Sequence, residues 1–292
     1  MQLLDDPGRV TQRQPLGTVN ADACASCRLC QGPLARVFDL LLLNKYRVNY
    51  YRCLSCGSLQ TEPPFWLEEA YDRNLSWLDT AAAQRTLNNL AASYAVCRIL
   101  GLKHVVDFGG SDGLLCRLLR DYSIDCYVRD RYAEVRYAQG FEDTPFERPD
   151  LTLAFEVLEH LPNPCADLGD VFAGDPPVVL ASTMAYCGED AAWTYLAPES
   201  GQHVFFYSER ALRMIAAQRG YDAYREGLYV LFCRPEIRRA RLARRSLRKT
   251  FIRLTRLAMN VLPASGVMRD QSELRRRASP TSHGHARDPH TS

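Results

Sequence analysis

The chain has 292 residues, 47% hydrophobic and 24% charged, a soluble composition with room for one full α/β domain and a smaller module. No apolar run approaches the roughly 20 residues needed to cross a bilayer, and the opening "MQLLDDPGRVTQRQ" has acids where an export signal needs lysines and an apolar core. The net charge of +2 conceals an acidic body and a basic tail, because 15 Lys/Arg face only 4 Asp/Glu from Arg234 onward. Eleven cysteines without an export signal point to a reducing, cytoplasmic setting, where they serve as thiols or metal ligands rather than disulfides.

Residues 1–23 are polar and irregular, which predicts a flexible N-terminus. Residues 24–64 are cysteine-rich and end at "EPP", a natural boundary. Here "CRLC" and "CLSC" place Cys27, Cys30, Cys53 and Cys56 in two Cys-x-x-Cys knuckles separated by 22 residues. Four thiolates complete a tetrahedral Zn²⁺ site. Cys24 and Cys27 also form such a pair. We prefer Cys27 with Cys30, because the "QGPL" turn after them mirrors "CGSL" at Cys56. Buried free thiols are the alternative.

Residues 65–235 alternate helix-like and strand-like patterns. "TAAAQRTLNNLAASYAVCRIL" carries a helical apolar stripe. "KHVVDFGG" is a predicted strand, "GLLCRLLRD" a helix, "SIDCYVRD" and "DLTLAFEV" strands, "CADLGDVF" a helix and "PPVVLAST" a buried strand. "SERALRMIAAQRG" is a helix with Ser208 as N-cap and Gly220 just past its end. "YDAYRE" and "LYVLFCR" have no helix between them and predict an antiparallel hairpin. The alternation implies an α/β fold with a doubly wound, mainly parallel Rossmann-like sheet and ligand sites at strand C-termini.

The stretch "VVDFGGSDG" runs from a strand through Gly109, Gly110 and Gly113 into a helix. No Gly-Lys-Ser/Thr follows, so it is not a Walker loop. Asp107 and Asp112 flank the turn and would repel a pyrophosphate, but they suit a cationic ligand without phosphate, such as S-adenosylmethionine (SAM). Asp130 ends the next strand, where an acid can bind both ribose hydroxyls.

On these residues the segment resembles the class I SAM-dependent methyltransferases, with Asp107, Gly109 and Gly113 in the first motif and Asp130 in the second. "DLTLAFEVLEHLPNP" is similar to the family's fourth-strand segment. The resemblance implies a seven-stranded sheet whose last strand is antiparallel. It also implies that Phe141 and Glu142 lie by the adenine and that Glu156 lines the SAM pocket. With the four-cysteine module in front, the arrangement resembles zinc-carrying sugar C-methyltransferases and related methyltransferases of polysaccharide clusters, whose module helps cover the acceptor site.

The stretch "WTYLAPESGQHVFFYS" concentrates Trp193, Tyr195, Glu199, Gln202, His203 and Tyr207 in one loop on the expected ligand-facing edge. His203 titrates near neutral pH and is the expected general base, with Tyr207 and Glu199 beside it in the chemistry. "HVFFYS" also resembles a sugar C-methyltransferase segment whose histidine is the proposed base. A histidine satisfied by backbone hydrogen bonds is the alternative. Glu156, Glu159 and His160 of "EVLEH" could bind a divalent cation together with His203, or simply shape the loop.

Residues 236–265 read as one basic amphipathic helix, with Leu247, Phe251, Leu254, Ala258 and Val261 as its stripe. Such a helix can dock on the acidic body, lie peripherally on an anionic membrane, or bind an acidic protein. Residues 266–292 are expected to be disordered. The leading expectation is therefore a SAM-dependent methyltransferase acting on a sugar, nucleotide-sugar or glycan/glycolipid intermediate. An RNA methyltransferase and a non-catalytic SAM-binding scaffold are the alternatives. Nucleic acid is disfavoured, because the basic residues lack interleaved aromatics.

Overall fold

The computed structural model describes residues 26–72, 79–142 and 144–278. The expected flexible N-terminus, Cys24 and residues 279–292 lie outside them.

The cysteine-rich segment folds as an antiparallel meander of β1 (Leu34–Leu42), β2 (Tyr46–Cys53) and β3 (Leu59–Thr61). Its tyrosines and β-branched residues suit half-buried strands. Val48, Tyr50 and Leu59 turn one face inward onto Trp66. After α1 (Leu67–Asp72), α2 (Ala82–Leu100) leads into β4 (His104–Phe108), α3 (Leu114–Asp121), β5 (Asp125–Arg129), β6 (Leu151–Phe155), α4 (Pro164–Val171) and β7 (Val178–Ser182). Then come β8 (Phe205–Phe206), α5 (Glu209–Arg219), β9 (Asp222–Glu226) and β10 (Tyr229–Cys233).

The large sheet has the order β5-β4-β6-β7-β10-β9. Its first four strands are parallel, and β10 runs antiparallel to both of its neighbours. All five residues of β7 are buried, as expected of a strand covered on both faces. Ser208 caps α5 by accepting from Ala211 N at 3.0 Å, and Gly220 ends it at φ 74°. The expected hairpin is the β9–β10 pair, turning through Gly227 at φ 63°.

Two expectations are corrected. The sheet has six strands rather than seven, because no strand forms between Arg129 and Leu151 among the described residues. That segment carries two prolines and scattered acids, and its Val135, Phe141 and Phe146 join the core singly. The basic tail is also not one helix. It forms α6 (Ala240–Ser246) and α7 (Lys249–Met259), broken where Arg248 is extended at ψ 142°. Part of the segment expected to be disordered forms α8 (Gly266–Ala278). The buried Asp270 anchors it, meeting Arg120 Nε and Arg117 Nη2 at 2.7 Å each.

The α2 side of the large sheet is covered by a core that also includes residues of α3, α6 and α7, and the other side by α4 and α5. Phe205 of β8 pairs with Gln60, and Phe206 with Leu59, so a strand from the loop after β7 completes the small meander. The cysteine module is thereby built into the carboxyl end of the large sheet.

Candidate functional site

The β4–α3 turn is shaped for close approach. Gly109 (φ 69°) and Gly113 (φ 82°) adopt left-handed conformations that only glycine takes without strain. At Gly110 a Cβ would lie 2.5 Å from Asp107 Oδ2. Asp107 is buried, and Oδ2 has no hydrogen-bond partner among the described residues. Burial, with a smaller push from Asp130, raises its pKa to about 7. An orphaned buried carboxylate beside a glycine cradle fits a cationic ligand. Asp130 Oδ2 accepts from Ser111 N at 2.9 Å, while Oδ1 accepts from Tyr132 N and Ala133 N at 2.8 Å each. These bonds tie the end of β5 to the glycine turn and leave Oδ2 a second lone pair for a ribose hydroxyl. Glu156 follows β6 at φ 54°, its Oε1 accepting from Ser182 Oγ at 2.6 Å.

Phe141 and Glu142 stand differently from expectation. Phe141 is a core side chain with the Arg120 guanidinium 3.6 Å from its ring centroid, and its carbonyl accepts from Val128 N. Glu142 closes its own turn by accepting from Gly140 N at 2.7 Å. With no strand between Arg129 and Leu151, the loop folds back onto β5 and buries the aromatic ring.

Cys27, Cys30, Cys53 and Cys56 converge with all four sulfurs within 4.8 Å of one another. The Cys30–Cys53 and Cys27–Cys56 separations are 3.5 and 3.8 Å. Tetrahedral Zn–S bonds of about 2.3 Å place sulfurs about 3.8 Å apart, so the set fits zinc. Ser55 N and Cys56 N donate to Cys53 Sγ at 3.4 Å each, as a thiolate invites. A hydrogen bond from Cys27 lowers the Cys56 pKa to about 5, and the same bond raises that of Cys27.

The loop after β7 brings a second group together. His203 and His160 stand edge to face with centroids 4.8 Å apart, and the Tyr195 ring lies 4.8 Å from His203. His203 Nδ1 donates to Tyr195 O at 2.6 Å. Glu159 is fully buried: Oε1 accepts from Tyr195 OH at 2.7 Å, and Oε2 has no partner among the described residues. Burial, reinforced by Glu156, lifts the Glu159 pKa to about 8. Burial, reinforced by His203, holds His160 near 3, and burial also lowers His203. Ligand atoms of Glu159, His160 and His203 lie within 4.8 Å of one another. Glu156, expected in the cation set, stands outside it, with Oε1 accepting from Ser182 Oγ at 2.6 Å.

Tyr207 is withdrawn from this group, fully buried with its hydroxyl donating to Leu158 O at 3.1 Å. Glu199 is exposed on the turn before Gly201. Gln202 Nε2 donates to Ala70 O, and Trp193 packs on Tyr186 and Phe206. Two residues escaped the sequence reading. Tyr71 OH lies 3.4 Å from His160 Nδ1 and its ring stacks on Tyr132, while Arg28 braces the same loop through Val204 O. Long separations in sequence left no local signal for either.

The fold and these two adjoining groups define an enzyme of the Rossmann-like methyltransferase class. Residues 70–226, over half the chain, match the family described as a methyltransferase domain, and the chain belongs to that family of SAM-dependent methyltransferases. No curated protein sequence matches it. Among solved structures it is similar to the mitomycin 7-O-methyltransferase, with 16% identity, 56% of this chain covered and a TM-score of 0.38. The chain spans 59% of that enzyme's length. It is also similar to a magnesium protoporphyrin IX methyltransferase from Synechocystis PCC 6803 with bound S-adenosylhomocysteine, with 13% identity, 59% of this chain and 95% of that one covered, and a TM-score of 0.40. A 1,6-didemethyltoxoflavin methyltransferase from Burkholderia thailandensis is 15% identical, with 57% and 83% covered and a TM-score of 0.37.

Proposed function

We propose that the chain transfers the methyl group of SAM to a small hydroxyl-rich acceptor: a sugar, a nucleotide-sugar, or a glycan or glycolipid intermediate. The observation that carries this reading is the contact of His203 Nδ1 with the carbonyl of Tyr195 at 2.6 Å, because a carbonyl only accepts and so assigns the proton to Nδ1. Its Nδ1–H is committed to Tyr195 O, which leaves the Nε2 lone pair to accept a proton. Its lowered pKa keeps the ring neutral at pH 7. His203 Nε2 would take the acceptor's O–H or C–H proton, freeing the acceptor's electron pair for the activated methyl carbon that bound SAM would supply, with S-adenosylhomocysteine left behind. Asp107, the Gly109–Gly113 turn, Asp130 and Glu156 hold and orient the cofactor in this reading. The zinc module, joined to the loop through β8, covers the acceptor side.

A second reading rests on the unpartnered Glu159 Oε2. A divalent cation held by Glu159, His160 and His203 would take the acceptor oxygen directly, and a mixed carboxylate and imidazole set suits Mn²⁺ or Zn²⁺. Incubation with methyl-labelled SAM and a panel of nucleotide-sugars tests the proposal. Label should enter a sugar product with the wild-type chain and be lost with His203→Ala. Equal labelling by that variant would remove His203 from the reaction.

A further inference from the structure

The basic tail does dock on the body, but of the stripe read from its sequence only Leu247 is buried there, while Phe251, Leu254, Ala258 and Val261 are exposed. Ile252 and Met259 of α7 are buried, seven residues and two turns apart on one face, and they join the core that includes α2. Leu254 and Leu257 each stand two residues from one of them, about 200° around the helix. They therefore point away from the body, 57% and 67% exposed, and Val261 in the next turn is 85% exposed. Phe251 of α7, Leu242 of α6 and Met268 of α8 are exposed as well. The outward side of α7 is an apolar line with nothing packed on it among the described residues.

Cations border that line. Between Glu236 and Asp270 the chain carries ten Lys/Arg and no acid. Some are engaged by the body: Arg244 and Arg248 approach Glu226, and Arg256 donates to Asn88 Oδ1 at 3.0 Å. Arg238, Arg241, Arg245, Lys249 and Arg253 are exposed and form no ion pair among the described residues. None of the described helices is long and apolar enough to cross a membrane.

We propose that the outer face of α6 and α7 is a docking surface for an anionic lipid bilayer. The apolar side chains enter the headgroup–acyl boundary and the bordering cations meet lipid phosphates. A second copy of this chain would set the same cations against each other. A nucleic acid would answer the cations but leave Leu254, Leu257 and Val261 unburied. A bilayer answers both. The surface is independent of the acceptor's identity, and it would hold a methyltransferase against a lipid-linked substrate.

The test is flotation of the full chain with vesicles of phosphatidylcholine alone or with phosphatidylglycerol added. Binding is expected on the anionic vesicles only, weakening as salt rises. Lys249→Glu and Arg253→Glu should each cost at least about fivefold, since a single Lys or Arg near an anionic surface contributes about 1 kcal/mol. Leu254→Ser with Leu257→Ser should cost at least about tenfold, because two leucines no longer leave water. These side chains are exposed, so thermal melts of the variants should match wild type. Failure to bind anionic vesicles at low salt would overturn the proposal, as would binding indifferent to the leucine pair. Self-association abolished by that leucine pair, or RNA binding that anionic vesicles cannot compete away, would overturn it in favour of another occupant. None of these outcomes depends on methyl transfer.

Discussion

The guanidinium of Arg28, inside the first cysteine knuckle, donates to the carbonyl of Val204, next to His203, at 2.6 Å. The same side chain donates to Thr61 O and to Pro162 O, at 3.1 and 2.8 Å. Val204 N in turn donates to Glu159 O at 2.9 Å. One arginine thus fastens the cysteine module to both segments that carry the candidate acceptor site. Arg28→Ala should destabilise the protein by roughly 2 kcal/mol, as expected for losing charge-assisted bonds at a part-buried junction. It should also lower turnover while leaving SAM affinity nearly unchanged. Denaturant titration and calorimetry measure the two effects separately.

One zinc ion per chain is expected, held by Cys27, Cys30, Cys53 and Cys56. Cys53→Ser should lose the metal and unfold the module, whereas Cys24→Ser should retain unit stoichiometry by elemental analysis. Retention by Cys30→Ser and loss by Cys24→Ser would place the ion in the other register.

Asp130 meets the ribose in the proposed cofactor pose. Asp130→Ala should weaken SAM binding by roughly 1.5–3 kcal/mol, the share of a charge-assisted hydrogen bond. Part of this loss is indirect, because Ser111 N of the glycine turn loses its acceptor too. Calorimetry that detects no SAM heat in the wild-type chain would contradict the cofactor assignment.

Asp107 should leave a signature in the pH dependence of the ligand-free protein. Its folded pKa stands near 7, above the ordinary 3.8, so the folded chain binds more protons than the unfolded one between these values. Stability attributable to this carboxyl is therefore complete below about pH 4 and lost as pH rises through 7, by up to about 4 kcal/mol. Asp107→Asn should flatten that slope in thermal melts. If SAM's positive charge stabilises the carboxylate, binding at pH 6 should release a proton, seen as a buffer-dependent binding heat. A melting slope unchanged by the substitution would mean that Asp107 is ionised in the folded chain.

His203→Ala should lower turnover by roughly 10²–10⁴-fold with SAM affinity kept, the usual share of a general base. The acid limb of the rate profile should fall below the ordinary histidine value, because burial lowers the pKa and only the neutral ring accepts a proton. The cation reading forecasts something else. Glu159→Gln would then be as damaging as His203→Ala, and Mn²⁺ added beyond the zinc of the cysteine site would restore activity after chelation. Chelators also strip the cysteine module, so zinc must be replenished in that experiment.

The sequence alone determined most of the strand and helix order of residues 82–233, though β8 lay in a stretch read as loop. Most elements there bury an apolar face, and α5 is bounded by its own signals, Ser208 before it and Gly220 after it. It also singled out the Asp107 and Asp130 positions and the four-cysteine set, because glycine turns and paired knuckles are local patterns. Only the tertiary structure decided which loop residues meet. His203 and Tyr195 lie in one segment, but Glu159 and His160 arrive from the turn after β6, Tyr71 from α1 and Arg28 from the first cysteine knuckle, across separations that no local period encodes. It also buried Tyr207, which the loop's residues suggest for the site, and Phe141, which the family resemblance places by the adenine. In the tail, the helical period of α7 supports two opposite apolar lines. Packing against α2 selected Ile252 and Met259 for the core and turned Leu254 and Leu257 outward, because one helix can bury only one of its faces against a single neighbour.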